Sequence, residues 1–336
     1  MEIYHVKTHR QKIYRKKKKK KGRREDRISR LPDALLQHIL SFLPTKCTVC
    51  TSVLSKRWRN IWTGVPVLSF LDWPCFAPKE KRLLEVERLL SFMDKRLPTI
   101  HHDNMPNIQK FYLHLSEFIS YESPVNAWIT TLVSCKLEEL TLVAFIGEVS
   151  LFPPSFLISK SLTTLDLKMY IEFKPPGLVY LPQLKILRLT YIKFTNMDLT
   201  LKFFSGCPVL EQLSLDKCSW GDMVVSILFP VLKCLSITNY SGTPHLEGSR
   251  VKIHAPNLVS LNYVETVNKT SDLTSCSSLA DSNIHFPYLY QYFPERRGQV
   301  CSRTAKLLAG LSNVKLLKLS GETFEALSFA DERLAN

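Results

Sequence analysis

The stretch "LKILRL", residues 184–189, decides the fold, because its apolar-x-x-apolar-x-apolar order returns throughout the chain. Alternation of apolar and polar residues over such a short run is typical of a strand with one buried side. The pattern recurs as "IQKFYL" (108–113), "LEELTL" (137–142), "LTTLDL" (162–167), "LEQLSL" (210–215), "LKCLSI" (232–237), "LVSLNY" (258–263) and "VKLLKL" (314–319). Repetition of one strand unit predicts a stacked array of repeats.

The spacing between the copies indicates which kind of array this is. The central apolar residues from Phe111 to Leu261 lie 22 to 29 residues apart, and a gap of 56 residues precedes Leu317. Such a period is typical of a leucine-rich-repeat solenoid, a curved α/β fold with short parallel strands on its concave face. Within the long gap we expect a degenerate repeat at 284–293 and an insertion through the Ser-rich segment 270–282.

Strand alternation also assigns the two sides of the predicted sheet. If the leucines point inward, the residue between the last two apolar positions of each copy points outward. These outward residues form a polar middle column of Tyr112, Thr141, Asp166, Arg188, Ser214, Ser236, Asn262 and Lys318. The column is either a merely soluble surface or a recognition surface, since solenoids typically bind partners on their concave face. We take Thr141, Asp166, Arg188, Ser214, Ser236 and Asn262 as the candidate substrate face.

The positive charge is concentrated at the N-terminus. Of the formal net charge of +15, residues 1–30 carry +11, with 14 Lys and Arg against 3 Asp and Glu. A run without apolar periodicity predicts a disordered tail. Three uses stay open for it: a solvating arm, a nuclear-import signal at Lys16, Lys17, Lys18, Lys19, Lys20 and Lys21, and non-specific contact with nucleic acid. The tail lacks interleaved aromatic residues that could stack on bases, so nucleic acid is the least favoured partner.

The segment "LPDALLQHILSFLPTKCTVCTSVLSKRWRNIW", residues 31–62, follows this tail. Its apolar residues have helical spacing from Leu35 to Leu43, and Pro32 suits the first position of a helix. We expect a second helix with Thr45 as its N-cap and a third that begins near Ser55. So short a unit cannot bury all of this apolar surface, so part of the surface should form an interface.

The same segment resembles an F-box, through "RISRLPDALLQHILSFLP" and "TSVLSKRWRNIW". An F-box followed by irregular repeats is similar to the plant F-box/leucine-rich-repeat family, whose larger members continue into an FBD domain that this chain would mostly lack. The resemblance implies a three-helix F-box that binds a Skp-type adaptor and, through it, a cullin in an SCF ubiquitin ligase, while the repeats hold an unknown protein substrate. It assigns adaptor contact to Leu31, Pro32, Leu35, Ile39, Leu40, Leu43, Pro44, Leu54 and Trp58.

Four segments follow from these patterns. We expect a disordered basic tail over 1–25, the F-box over 26–66, a linker with a capping helix over 67–105, and the solenoid over 106–336. In the capping helix, Leu83, Val86, Leu90, Met93 and Leu97 have helical spacing, with charged residues on the other side. We expect residues 311–336 to be the least stable part of the solenoid, because little sequence remains to cover its last strand.

Other chemistry has little support in the sequence. The lone C-x-x-C pair at Cys47 and Cys50 lacks the second pair that a zinc site needs, and His101 and His102 lie in the linker. No phosphate-binding loop or hydrolase motif occurs, and no run has the roughly 18 apolar residues of a membrane span. We therefore expect a non-catalytic receptor without metal or cofactor, in the nucleus, the cytoplasm or both. Two alternatives stay open: a repeat scaffold acting outside a ligase, and a nucleic-acid-associated protein.

Overall fold

The structure is a computed structural model of the full chain. It describes residues 27–71, 78–97, 108–115, 122–144, 154–175, 177–220, 224–239, 250–265, 270–274, 278–286, 308, 311 and 314–325. The basic tail with Lys16 to Lys21, and the pair His101 and His102, lie outside these residues.

The chain begins with a small unit of helices, which we call the N-terminal unit and which comprises residues 27–66. Helix α1 spans Asp33–Leu40 and helix α2 spans Thr45–Cys50, and each follows a proline at its N-cap position. A proline ahead of the first turn sets the backbone for helix entry, and the missing N–H costs nothing there. Thr45 was expected to be the cap of α2 but is its first residue, and its hydroxyl Oγ1 accepts a hydrogen bond from the Ser69 backbone N–H instead.

The third expected helix is replaced by turns and two short 3₁₀ segments, Thr51–Val53 and Ile61–Gly64. Ser55 does act at a helix-like start, because its hydroxyl accepts a long hydrogen bond of 3.4 Å from the Trp58 backbone N–H. A helix that began near Ser55 would place Trp58 and Trp62 one turn apart on one face, but the structure separates them. Trp58 lies in the core of the unit, whereas Trp62 is half-buried against Phe92, with ring centroids 5.8 Å apart.

The described strands are β1 (Val67–Phe70), β2 (Lys110–Leu115), β3 (Glu139–Ala144), β4 (Thr164–Phe173), β5 (Ile186–Phe194), β6 (Gln212–Asp216), β7 (Val224–Leu228), β8 (Cys234–Asn239), β9 (Arg250–His254), β10 (Ser260–Glu265), β11 (Thr270–Thr274), β12 (Asp281–His285) and β13 (Leu316–Leu319). Ten of them form one parallel sheet in the order β1-β2-β3-β4-β5-β6-β8-β10-β12-β13, and three form a second parallel sheet in the order β11-β9-β7. This arrangement of parallel strands is typical of a leucine-rich-repeat region and confirms the predicted fold class.

The apolar positions of the repeated pattern form the core. The central leucines Leu140, Leu165, Leu187, Leu213, Leu235 and Leu261 are at most 2% exposed. Three helices, α3 (Lys79–Arg96), α4 (Glu122–Ser134) and α5 (Met197–Ser205), also contribute to the described structure. Residues of α4, α5 and the second sheet lie in the same buried cluster as these leucines, so the core lies behind the main sheet.

The segment expected to be a linker and cap contains part of the sheet. Its first residues form β1, which pairs in parallel with β2, and the expected helix is α3. Met93 and Leu97 are buried at this end of the core, and Leu90 is half-buried. Leu89 is also buried, although the helical spacing chosen from the sequence left it out.

The long gap before the last repeat holds more regular structure than expected. The Ser-rich segment 270–282 was expected to be an insertion, but it supplies β11 and the first residues of β12. A degenerate repeat lies at 279–284, where Ser282 occupies the place of the central leucine and is 2% exposed. Most of the range 284–293, where this repeat was expected, lies outside the described residues. A serine at the leucine position removes the pattern by which repeats are recognised, which explains why the sequence did not indicate the repeat at 279–284.

Candidate interaction surfaces

Two neighbouring residues close the N-terminal unit by tying its last segment to its first. The indole Nε1 of Trp58 donates a hydrogen bond to the Ser29 hydroxyl at 3.1 Å, and the Arg57 Nε donates to the Asp33 carboxylate at 3.0 Å. Arg57 also donates to the backbone carbonyls of Ser29 and Leu31. These bonds fix the start of α1, so the two ends of the motif recognised in the sequence meet in space.

The unit has a small core of its own. It consists of Leu36, Leu40, Trp58, Ile61 and Val65, each at most 5% exposed. Two of the residues expected to contact an adaptor, Leu40 and Trp58, are therefore core residues. Leu31 and Pro44 are half-buried, and Leu31 packs against this core.

The remaining expected contacts, Pro32, Leu35, Ile39, Leu43 and Leu54, are exposed. Three more large apolar residues that the sequence did not single out are also exposed. The resulting exposed apolar set consists of Ile28, Leu35, Ile39, Phe42, Leu43, Val53 and Leu54, which are 41% to 87% exposed. Single exposed apolar residues are ordinary, but seven within 27 residues are a feature of interaction surfaces.

The polar middle column lies in register across the main sheet. Strand pairing matches Tyr112 with Thr141, Thr141 with Asp166, and so on through Arg188, Ser214, Ser236 and Asn262. Asn283 continues the column and pairs with Lys318, which places the degenerate repeat in it as well. We call the side of the sheet that carries this column the open face.

A shallow groove of about 170 Å³ runs along the open face over β5, β6, β8 and β10. Four of the six residues of the candidate substrate face line it: Arg188, Ser214, Ser236 and Asn262. Thr141 and Asp166 lie on the neighbouring strands and are not among its lining residues. The groove exists because serines occupy the middle column between the larger Arg188 and Asn262.

Hydrogen bonds between side chains fix one end of the groove. The Asn262 Nδ2 donates to the Ser236 hydroxyl at 2.9 Å, and the Asn283 Nδ2 donates to the Asn262 Oδ1 at 2.7 Å. Because each amide is held by its neighbour, this part of the open face is preorganised for polar contacts.

Charged groups dominate the other end of the open face. The Lys110 Nζ and the Tyr112 hydroxyl each lie 2.7 Å from the Glu139 carboxylate. Burial raises the pKa of Glu139, but these two partners more than offset it, so the pKa is lowered. The net result is the opposite for Asp166, because burial raises the pKa of that carboxyl by more than the nearby charges of Arg188 and Lys168 lower it.

A cluster of aromatic and cationic side chains is formed by Tyr170 on β4, Tyr191 on β5 and Lys217, which directly follows β6. The rings of Tyr170 and Tyr191 stack with centroids 4.0 Å apart, and the Lys217 Nζ donates to the Tyr191 hydroxyl at 3.1 Å. Tyr191 and Lys217 both have left-handed backbones, with φ of 62° and 51°. Such conformations are rare outside glycine and cluster at functional sites, and nothing in the sequence indicated them here.

The described residues give little support for other kinds of site. Cys47 and Cys50 are exposed on α2, and among the described residues no group of three or more His, Cys, Asp and Glu side chains could hold a metal ion. Nor does any described helix combine the length and apolar character needed to cross a membrane.

Comparison with known proteins matches both parts of the chain. Residues 28–70 match the F-box domain, and residues 100–328 match the family described as the At1g61320/AtMIF1 LRR domain. The chain is 33% identical over 341 residues to the putative F-box/LRR-repeat protein At5g41840 of Arabidopsis thaliana, covering 92% of this chain and 62% of the relative.

Two further relatives come from the same plant. The F-box/LRR-repeat protein At4g14096 is 32% identical, with 91% of this chain and 64% of the relative covered. The F-box/LRR-repeat protein At3g59190 is also 32% identical, with 91% and 81% covered. The chain thus spans less than two thirds of the length of the first two of these relatives.

Proposed function

This chain belongs to the plant F-box/leucine-rich-repeat family, and from that premise we propose that it is the substrate-recognition subunit of an SCF-type ubiquitin ligase. In this proposal the F-box, the N-terminal unit described above, binds a Skp-type adaptor, and the adaptor connects it to a cullin. The open face of the repeats binds the target protein. The chain itself performs no catalysis and acts as a receptor.

One observation carries the adaptor role. The F-box has a small core of its own, yet the seven residues of the exposed apolar set remain at its surface. Burying a large apolar side chain is worth about 1.5 to 3 kcal/mol, so seven exposed ones represent a large potential gain on association. Helical spacing puts Leu35 and Ile39 on one face of α1, next to the stripe of Leu36 and Leu40 that packs inward. We therefore assign contact to the exposed members of the family motif and support of the fold to Leu40 and Trp58.

The target role rests on the groove of the open face. Its lining combines apolar side chains such as Leu187 and Leu213 with the Ser214 and Ser236 hydroxyls and the Arg188 guanidinium. Arg188 forms no hydrogen bond or ion pair with any of the described residues, although its charge acts to lower the pKa of Asp166 and Glu139. A guanidinium with free donors suits a carboxylate or a backbone carbonyl of a bound chain. The aromatic and cationic cluster of Tyr170, Tyr191 and Lys217 extends the contact area towards the ends of the strands.

A binding measurement with a purified Skp-type adaptor tests the adaptor role. We expect the double variant Leu35→Asp with Ile39→Asp to weaken adaptor binding at least about 30-fold, since truncation of a central interface anchor costs about 2 kcal/mol or more. The matched control is Leu84→Asp on α3. Leu84 is 47% exposed, close to the 50% of Leu35 and 48% of Ile39, but lies outside the F-box.

The outcomes separate the candidate functions. Loss of adaptor binding in the double variant but not in Leu84→Asp, with the thermal stability of both unchanged, supports the proposal. Failure of the unaltered chain to bind any Skp-type adaptor would favour a repeat scaffold that acts outside a ligase.

The basic tail supports a proposal about location. Nine of the ten residues from 15 to 24 are Lys or Arg, and we propose that Lys16 to Lys21 direct import into the nucleus. Alanine at these six positions should move a fluorescent fusion from the nucleus to the cytoplasm. An unchanged distribution would leave the tail as a solvating arm, and loss of binding to nucleic acid in the same variant would favour the nucleic-acid role.

A further inference from the structure

A cleft of about 270 Å³ lies where the F-box meets the first elements of the repeats. One wall is helix α2 of the F-box, and the other is formed by β1 and α3. Its lining is mostly apolar, with Pro44 and Val49 on one wall and Phe70, Leu89 and Phe92 on the other. Small-molecule sites are typically concave, apolar and at domain boundaries, and this cleft has all three properties.

Direct bonds hold the two walls in place. The Ser69 N–H of β1 donates to the Thr45 hydroxyl of α2 at 2.7 Å. The guanidinium of Arg96 on α3 donates to the Thr63 carbonyl at 2.8 Å and lies 6.0 Å from the centre of the Trp62 ring. The cleft is therefore a preformed cavity that does not need a rearrangement to open, which lowers the cost of binding.

The charged residues of the cleft define the chemistry that would complement it. Lys46 Nζ lies 3.0 Å from one carboxylate oxygen of Glu85, and Arg88 Nη1 lies 2.6 Å from the other. Two cations thus share one anion, which leaves a net positive charge beside the apolar walls. The cationic side chains are 72% and 63% exposed, whereas that of Glu85 is 20% exposed, so a ligand meets the cations first.

We propose that this cleft binds a small apolar molecule that carries one anionic group, such as an aromatic or aliphatic acid. The apolar part would lie between Val49, Leu89 and Phe92, and the anion would lie beside Lys46 and Arg88. The volume of about 270 Å³ suits a compact ligand. Of the residues expected to contact an adaptor, only Pro44 is among those lining the cleft, and no lining residue belongs to the exposed apolar set or to the polar column, so the proposal does not depend on the ligase role.

Helix α2 offers a matched pair of variants for the test. Cys50 lines the cleft, whereas Cys47 is equally a surface residue of the same helix and does not line it. The full chain is titrated with anilinonaphthalene sulfonate, a fluorescent aromatic anion, and with the neutral N-phenylnaphthylamine. We expect saturable binding of the anion, weakened at least about tenfold by Cys50→Phe and unchanged by Cys47→Phe, because only the first substitution fills the cavity.

Charge and accessibility provide independent readouts. Lys46→Met should weaken binding of the anionic probe by about threefold, the usual effect of one exposed charge, and leave binding of the neutral probe unchanged. Saturating anionic probe should slow alkylation of Cys50, located by peptide mapping, without slowing that of Cys47. Binding that survives Cys50→Phe would place the probe on the exposed apolar set and overturn the proposal, as would equal affinity for the two probes.

Discussion

The F-box and the repeats use apolar residues in opposite ways. In the repeats, the central leucines from Leu140 to Leu261 are at most 2% exposed, and the open face carries a polar column. In the F-box, five residues form the core and seven large apolar residues stay at the surface. The same residue type is therefore structural in one region and available for binding in the other.

This difference shows that repetition and docking place different demands on a sequence. A solenoid repeat buries its apolar side chains against its neighbours, so its outer face is free to be polar. A unit of about 40 residues has too little interior for its apolar content and gains stability when a partner covers the rest. The same type of substitution made in each region tests this difference, because its effect on stability should depend on whether the side chain is buried.

The largest expected effect on stability comes from comparing a Leu→Ala substitution in the repeats with one in the F-box. Leu187→Ala removes a side chain with no exposure from the sheet core and should lower the free energy of unfolding by about 3 kcal/mol. Leu54→Ala removes a side chain that is 64% exposed and should change it by less than about 0.5 kcal/mol. Urea denaturation followed by circular dichroism measures both. Similar losses would mean that Leu54 is part of the core, and the contrast would fail.

Strand β13, the last described strand, should resemble the F-box in leaving apolar side chains exposed. Leu317 on β13 is 43% exposed, whereas its counterpart Leu213 is 2% exposed. Leu317→Ala should therefore cost under about 1 kcal/mol, and Leu213→Ala about 3 kcal/mol.

Amide hydrogen exchange gives a second test of the same point. Among the described strands β13 pairs only with β12, so we expect faster exchange at 316–319 than at 212–216. Equal protection in the two segments would show that β13 is as well covered as β6.

A third substitution concerns a polar residue at an apolar position. The Ser282 hydroxyl is buried in the place of a central leucine and has no hydrogen-bond partner in the part of the chain that the structure describes. Ser282→Ala should stabilise the protein by on the order of 1 kcal/mol, because an unpaired buried polar group is costly. Ser236→Ala on the open face is the control and should not stabilise. A loss of thermal stability in Ser282→Ala would reveal a partner for that hydroxyl.

The smallest expected effect is a pair of opposite pH dependences on the open face. The pKa of Asp166 is raised in the folded state, so the native protein loses stability as pH rises from the ordinary value of 3.8 through the folded pKa. The pKa of Glu139 is lowered, so its contribution is present above its ordinary value of 4.5 and is lost as pH falls through the folded pKa.

Two neutral variants measure these contributions. Asp166→Asn should stabilise the protein at pH 7, and Glu139→Gln should destabilise it, each by less than about 1 kcal/mol because both sites are partly exposed. Both differences should vanish in strong acid. Thermal melts between pH 3 and 7 would contradict this interpretation if the two variants changed stability in the same direction.

The sequence by itself determined the strand core, the order of the two domains and the polar column. Each of these depends on local spacing: a two-residue alternation fixes which side of a strand is buried, and a period of 22 to 29 residues fixes which strands stack. For this reason Arg188, Ser214, Ser236 and Asn262 could be placed on one face before their pairing was known. The family resemblance located the F-box through its Leu-Pro and Lys-Arg-Trp segments.

Only the tertiary structure decided how the F-box motif divides between core and surface. Leu36 and Leu40 point inward and Leu35 and Ile39 outward, although helical spacing makes the four residues adjacent, because Trp58 returns from 18 residues downstream to cover one stripe. The cleft beside α2 and the contact between Tyr191 and Lys217 likewise join residues that are distant in sequence. Periodicity shows which residues share a face, but the element that covers that face is fixed by long-range packing.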